Sequence, residues 1–321
     1  MEVRGMRMKN ILVSMKVTDA HRDQFAAAAN GASLIFSTAP SQEQIDRAQI
    51  IVGNVGLESL LRAQNLEMLQ LQTAGVGAYE QLCAPGRNVR VCTASGAYGL
   101  AISEHMFGLL LGLQKRLFAY RDQQFSGTWK DLGEVPSVSD ANVLVVGLGD
   151  IGGEFARRCR AFGAHVTGIR RSPGPCPEFC DAVGVQADLD RWLPDADVVF
   201  LCVPETRSTI GLMDRTRIFK MKRGAILLNA GRGSAVDTAA LVDALKEGYL
   251  WGAGLDVTAP EPLPSDHPLW KCPNVIITPH ISGGLHLKQT HDRIVRIACE
   301  NIRACLSGGA LTNAVEYERG Y

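Results

Sequence analysis

Short apolar runs alternate with one-faced amphipathic stretches along almost the whole chain. Buried strands separated by helices that hide a single face are what a parallel α/β sheet requires. In the first hundred residues the apolar runs predict strands at Ile11–Ser14, Ser33–Phe36, Ile50–Val52, Met68–Gln72 and Val89–Cys92, with helices at His21–Asn30 and Glu58–Gln64. A second series predicts strands at Asn142–Val146, His165–Ile169, Val198–Val203, Ala225–Leu228, Ala253–Val257 and Val275–Thr278. Between the two series, Ser103–Gln124 predicts one long helix, and Leu287–Cys305 predicts another near the C-terminus. Two such series predict two doubly wound, parallel-sheet α/β domains. No low-complexity tract or short-period repeat interrupts them.

Composition narrows the class without changing it. A length of 321 residues suits about two domains. Hydrophobic residues at 46% and charged residues at 21% are globular values. The 33 Lys+Arg balance 33 Asp+Glu, so the chain offers no electrostatic footprint for nucleic acid or an anionic membrane. The longest apolar run, Met106–Leu113, is far below the ~20 residues that span a bilayer, and Ile11–Met15 is too short for a signal-peptide core. Nine scattered Cys predict reduced thiols in the cytoplasm. Cys176 and Cys180 lack a matching His or Cys pair, and no metal is expected.

The sharpest local feature is Val143-Leu-Val-Val-Gly147-Leu-Gly149-Asp150-Ile151-Gly152, followed by the helix-forming Glu154–Phe162. Three glycines at this spacing are weak evidence alone, but here a strand feeds the first, a helix opens at the third and a second strand follows at βαβ distance. Gly147 would permit the tight turn, Gly149 would let the backbone approach a pyrophosphate, and Gly152 would allow close helix–strand packing. The helix N-terminus adds unpaired N–H groups and a positive dipole end. The second strand ends Gly168-Ile169-Arg170-Arg171-Ser172, with no carboxylate for the ribose 2′-hydroxyl of NAD. Two guanidiniums and a hydroxyl suit the 2′-phosphate of NADP, so NADP is the expected cofactor, with NAD possible.

Three polar residues fall where the pattern puts strand ends: Arg232 in Asn-Ala-Gly-Arg-Gly-Ser, Glu261 in Thr-Ala-Pro-Glu-Pro-Leu, and His280 in Ile-Thr-Pro-His-Ile-Ser-Gly-Gly. Ligands of open parallel sheets collect at the carboxyl ends of strands. With the segments VLVVGLGDIGGEFARRCRAFGAHVTGIRRS, LCVPETRSTIGLM, GAILLNAGRGSAVDTAALVDALKEG, GAGLDVTAPEPLPSDHPLW and NVIITPHISGG, the chain resembles the D-isomer-specific 2-hydroxyacid dehydrogenases, over nearly its whole length and most strongly from Asn142 to Gly284. The resemblance implies a Rossmann cofactor domain, 101–282, inserted into a flavodoxin-like substrate domain made of 1–100 and 283–321. It implies that Arg232, Glu261 and His280 occupy the catalytic positions. It also implies that Asp256 meets the nicotinamide amide, and that Val203, Pro204, Thr209, Ala230 and Gly231 line the cofactor site with Asp150 and Ile151. The loop Thr73-Ala74-Gly75-Val76-Gly77 is similar to the family's substrate-carboxylate binder, which works through backbone amides, and a homodimer built on the cofactor domain is expected on the same ground.

The residue types fit that chemistry independently. Reducing a small 2-keto acid needs a proton donor at the carbonyl, and an imidazolium serves. Glu261 would orient His280 and favour its protonated form. Arg232 would hold the carboxylate and meet the charge that develops on oxygen. The other histidines, His105 among them, lack such a constellation and read as structural or surface groups. Tyr98, in Ala94-Ser-Gly-Ala-Tyr98, puts a bulky ring near the expected pocket; Ala78 and Tyr79 follow Gly77 where an acid is frequent, and Thr258 stands where an aromatic is usual. These departures bear on the substrate, not on catalysis. The rival readings are a non-catalytic dinucleotide-sensing protein of the same fold and an enzyme acting on another substrate, such as an amino acid.

Overall fold

A computed structural model of the chain describes residues 8–316. The terminal stretches of the expected first domain, 1–7 and 317–321, lie outside the described residues. The chain divides into two compact units, Met1–Tyr98 with Leu285–Tyr321, and Gly99–Gly284. The sequence alone puts the borders at 100/101 and 282/283.

The first unit holds strands β1 to β5 (Asn10–Val13, Ser33–Phe36, Ile50–Val52, Met68–Gln70, Arg90–Cys92) and helices α1 to α3 (Asp19–Ala29, Gln42–Arg47, Leu57–Arg62). All pairings are parallel, in the order β2-β1-β3-β4-β5, the flavodoxin-like arrangement. Thr18 caps α1 by accepting from the His21 amide. Leu12, Ile51, Leu60, Leu69 and Leu82 form the centre of its core. Each such side chain stabilises by about 1.5–3 kcal/mol when fully buried.

The second unit begins with α4 (Gly99–Gln114) and α5 (Leu117–Phe125). Its strands β6 to β12 are Asn142–Val146, His165–Arg170, Ala182–Val185, Val198–Leu201, Ile226–Asn229, Gly252–Leu255 and Val275–Ile277. Its remaining helices, α6 to α9, are Asp150–Ala161, Leu189–Trp192, Arg215–Ile218 and Thr238–Lys246. The last helix, α10 (Lys288–Ser307), belongs to the first unit, where it packs on α1. The parallel order β12-β11-β10-β9-β6-β7-β8 of the second unit reverses between β6 and β9. Ligands of doubly wound sheets bind at the carboxyl ends flanking such a reversal.

Three local expectations are corrected. The single helix Ser103–Gln124 is two helices that start earlier, at Gly99, and break at Arg116, whose φ is 52°. Tertiary contacts decide the break: Lys115 Nζ donates to the Pro136 carbonyl, Arg116 Nη1 donates to that of Leu132, and the Arg116 guanidinium lies 4.7 Å from the Trp251 ring centre. The helix after the glycine turn opens at Asp150, capped by Gly149, so the third glycine sits in its first turn. The strand expected to reach Val203 ends at Leu201, and the Cys202 thiol beyond it lies 2.9 Å from the carbonyl of Gly147.

Candidate active site

The glycine turn joins β6 to α6 at the reversal point. Gly147 has φ 104°, and a Cβ there would sit 2.7 Å from the Cys202 carbonyl oxygen. A Cβ on Gly152 would lie 2.0 Å from the carbonyl oxygen of Gly147. Both positions exclude a side chain on packing grounds alone. Gly149 is the opposite case: its Cβ would meet nothing within 4 Å. Open space over Gly149, at the N-terminus of a helix that follows a strand, is the cradle a pyrophosphate needs. Ile151 occupies the first turn of that helix, half-buried.

The other expected cofactor residues sit at the carboxyl ends of neighbouring strands. Arg170 is the last residue of β7, and its Nη1 donates to the Pro175 carbonyl at 3.0 Å. Arg171 and Ser172 follow, both exposed. After β9, Thr209 accepts from the Thr206 amide at 2.8 Å and donates to the Pro204 carbonyl at 2.6 Å, closing the loop that carries half-buried Val203 and exposed Pro204. After β10, buried Ala230 precedes Gly231, whose amide donates to Asn229 Oδ1 at 3.0 Å. Asn229 Nδ2 also donates to the Arg232 carbonyl, so one buried amide clamps both sides of the turn that presents Arg232. An Asn between an apolar strand and a glycine is the sequence signal for such a turn.

Two of the carboxylates expected at the cofactor site make hydrogen bonds within this unit. Asp150 accepts from the Gly99 amide at 2.7 Å and so ties the start of α4 to α6. Asp256 is 2% exposed, and its carboxylate accepts from Thr278 Oγ1 at 2.6 Å, the Ile281 amide at 3.0 Å, the Ser282 amide at 3.1 Å and the Ser282 hydroxyl. These donors organise the loop that carries His280.

β10, β11 and β12 are consecutive in the sheet, and the segments that follow them carry Arg232, Glu261 and His280 in that order. His280 Nδ1 lies 2.9 Å from Glu261 Oε2. Glu261 Oε1 accepts from the Thr258 amide, also at 2.9 Å, so the carboxylate is held at both oxygens. With Nδ1 engaged, Nε2 is the nitrogen left to face a ligand. His280 adopts φ 53°, a left-handed conformation that costs a residue with a Cβ about 1–3 kcal/mol. Arg232 is half-buried, and its Nη1 donates to the Gly231 carbonyl at 2.7 Å. Among the described residues, no group of three or more His, Cys, Asp or Glu side chains converges as metal ligands would.

The expected substrate loop lies in the first unit, after β4. The Thr73 hydroxyl donates to the Gly75 carbonyl at 2.8 Å, the Ala74 carbonyl accepts from Ser95 Oγ, and Val76 is buried in the core. Tyr98 is also buried, its hydroxyl donates to the Gln72 carbonyl, and burial pushes its pKa up to about 12. Its hydroxyl therefore braces the loop. Asn54, not foreseen from the sequence, accepts from the Gln72 amide at 2.9 Å and steadies the same loop.

A dinucleotide cradle beside an ordered Arg, Glu and His on one parallel sheet defines a nicotinamide-dependent type of α/β protein. The chain belongs to the D-isomer specific 2-hydroxyacid dehydrogenase family, whose NAD binding domain matches residues 107–282. It is 33% identical over 298 residues to the D-3-phosphoglycerate dehydrogenase of Archaeoglobus fulgidus, an alignment that takes in 89% of this chain and 55% of that protein. The chain thus spans about half the length of that relative. Among solved structures, a D-isomer specific 2-hydroxyacid dehydrogenase family protein from Aeromonas salmonicida superposes with a TM-score of 0.84 at 30% identity, covering 97% of this chain and 99% of that one. The NADPH-dependent glyoxylate/hydroxypyruvate reductase of Sinorhizobium meliloti, solved with NADP and sulfate, gives a TM-score of 0.80 at 26% identity, covering 98% and 100%.

Proposed function

We propose that the chain interconverts a small 2-keto acid and its D-2-hydroxy acid with NADP(H), NAD(H) serving less well. The observation that carries this reading is the His280–Glu261 pair at 2.9 Å, placed on the strand ends next to the one that presents Arg232. When bound, the nicotinamide supplies or accepts the hydride. The chain's own residues do the rest. Gly149 and the α6 amides hold the pyrophosphate over the turn that Gly147 and Gly152 permit, and Arg170, Arg171 and Ser172 meet the 2′-phosphate. Arg232 binds the carboxylate and stabilises the oxygen on which charge develops. His280 donates a proton from Nε2 to that oxygen and takes one in the reverse direction, while Glu261 holds the ring through Nδ1. Ala74, Gly75 and Val76 are assigned to the substrate carboxylate through backbone amides.

Binding of NADP by the Sinorhizobium reductase supports the cofactor assignment. That relative's glyoxylate and hydroxypyruvate are the substrate class to try first. The nine cysteines are free thiols, which suits a cytoplasmic enzyme. The test is a panel of 2-keto acids, from glyoxylate, hydroxypyruvate and pyruvate to bulkier analogues, followed by nicotinamide absorbance with each cofactor. Turnover of at least one small keto acid is expected. Tight cofactor binding with no turnover across the panel would favour the dinucleotide-sensing reading instead.

A further inference from the structure

We propose that His105, on α4, is a positioning residue for His280, acting through Thr278 and Asp256; this rests on the reading of His280 as the proton donor. The hydrogen bonds fix their own direction. Thr278 Oγ1 lies 2.6 Å from Asp256 Oδ1 and 3.0 Å from His105 Nε2. A hydroxyl has one proton, and an ionised carboxylate only accepts, so Thr278 donates to Asp256. Thr278 must then accept from His105, which carries its proton on Nε2. The chain runs from His105 Nε2–H to the Thr278 hydroxyl to the Asp256 carboxylate, with no freedom left in the hydroxyl rotor.

Most of the backbone hydrogen bonds that hold the His280 turn converge on Asp256, the far end of this chain. The His280 amide donates to the backbone carbonyls of Asp256 at 2.8 Å and Thr278 at 2.9 Å. The two residues that follow it, Ile281 and Ser282, donate their amides to the Asp256 carboxylate. His280 has a left-handed backbone, a conformation it leaves unless its neighbours are pinned. Asp256 supplies the pins, and its carboxylate is aimed by the Thr278 hydroxyl. Helix α4 packs directly on β11 and β12, so His105 fixes the hydroxyl from a rigid support. Removing the Thr278 hydroxyl would leave an acceptor site of a buried carboxylate and the His105 N–H without partners, and the turn could then relax.

The test uses the full-length enzyme with a keto acid that it turns over. Thr278→Val should lower kcat about 10-fold, the scale of a small misplacement of a reacting group, with KM and cofactor Kd within about twofold of the parent. The solvent deuterium isotope effect on kcat should rise, because proton donation becomes slower relative to other steps. Thr278→Ser keeps the hydroxyl and should restore kcat to within about twofold. His105→Phe should reproduce the loss, and His105→Gln, whose amide can donate, should recover part of it; this pair decides the matter if the valine variant fails to fold. Parent kcat in both Thr278→Val and His105→Phe overturns the proposal, as does a serine variant as impaired as the valine one. His280→Ala, measured alongside, separates the two ideas. If it is inactive while Thr278→Val and His105→Phe are unaffected, only the positioning role fails; if it turns over like the parent, the reading beneath fails.

Discussion

Under the proposed function, Arg170 is the residue whose chemistry would select the cofactor. It ends β7, where an acid would accept from a ribose hydroxyl, and its Nη1 donates to the Pro175 carbonyl. A charge-assisted hydrogen bond is worth about 1.5–3 kcal/mol, so kcat/KM should favour NADPH over NADH by roughly ten-fold or more. Arg170→Asp should reverse or erase that preference, with Arg171 limiting the swing. Equal or better kcat/KM for NADH in the parent would mean that the arginine only braces its loop. The glycines make a second contrast at the same scale. Gly149→Ala adds a Cβ to open space, so it should leave Tm unchanged and weaken cofactor binding. Gly152→Ala puts a Cβ against the Gly147 carbonyl and should lower Tm outright. Thermal melts with and without cofactor distinguish the two, and a Gly152→Ala protein as stable as the parent would contradict so close a helix–strand contact.

Helices α1 and α10 meet through a titratable cluster with a predictable response to acid. His21 Nε2 lies 2.8 Å from Asp292 Oδ1, and the His21 and His291 rings sit 4.7 Å apart, edge to face. Burial, then the neighbouring His21, holds the His291 pKa below its ordinary value, while Lys288 and His21 hold the Asp292 carboxyl below the usual range. A histidine depressed in the folded state contributes stability above its unfolded pKa, near ~6.5, and loses it as pH falls. Asp292 acts in the same direction lower down, below ~3.9. Tm should therefore fall between about pH 7.5 and 5.5, and His291→Phe should flatten the decline; an unchanged slope in that variant would assign the sensitivity elsewhere. At this scale the sequence was legible where one physical rule dominates. Apolar runs located most strands, and the glycine spacing located the β6–α6 turn. It was illegible where tertiary contacts choose. Nothing local in Leu111–Leu117 announces the left-handed Arg116, which depends on Leu132 and Trp251, residues distant in sequence. The weakly patterned, half-buried β8 was missed for the same reason. Side-chain partners behaved alike: Arg232, Glu261 and His280 stood out by type and order, whereas the bonds of Asp256, Thr278 and His105 link residues far apart in the chain.

As a whole molecule, the second unit carries a surface that is apolar beyond what solvent favours. Leu117, Phe118, Phe125, Trp129 and Val135, on α5 and the segment after it, are all exposed, Trp129 completely. Apolar exposure along one segment suits contact with another chain, and a second copy of this chain is the occupant proposed. Light scattering should give the mass of a dimer for the parent, and Phe125→Ser with Trp129→Ser should shift it toward monomer; a monomeric parent would contradict this. The proposed function makes His280, paired with Glu261, the proton donor. The most direct measurement is single-turnover oxidation of enzyme-bound NADPH by a keto acid, in the parent and in His280→Ala with cofactor affinity shown to be intact. The chemical step should be slower by roughly 10²–10⁴-fold in the variant. A variant that oxidises its bound cofactor at the parent rate would contradict the account.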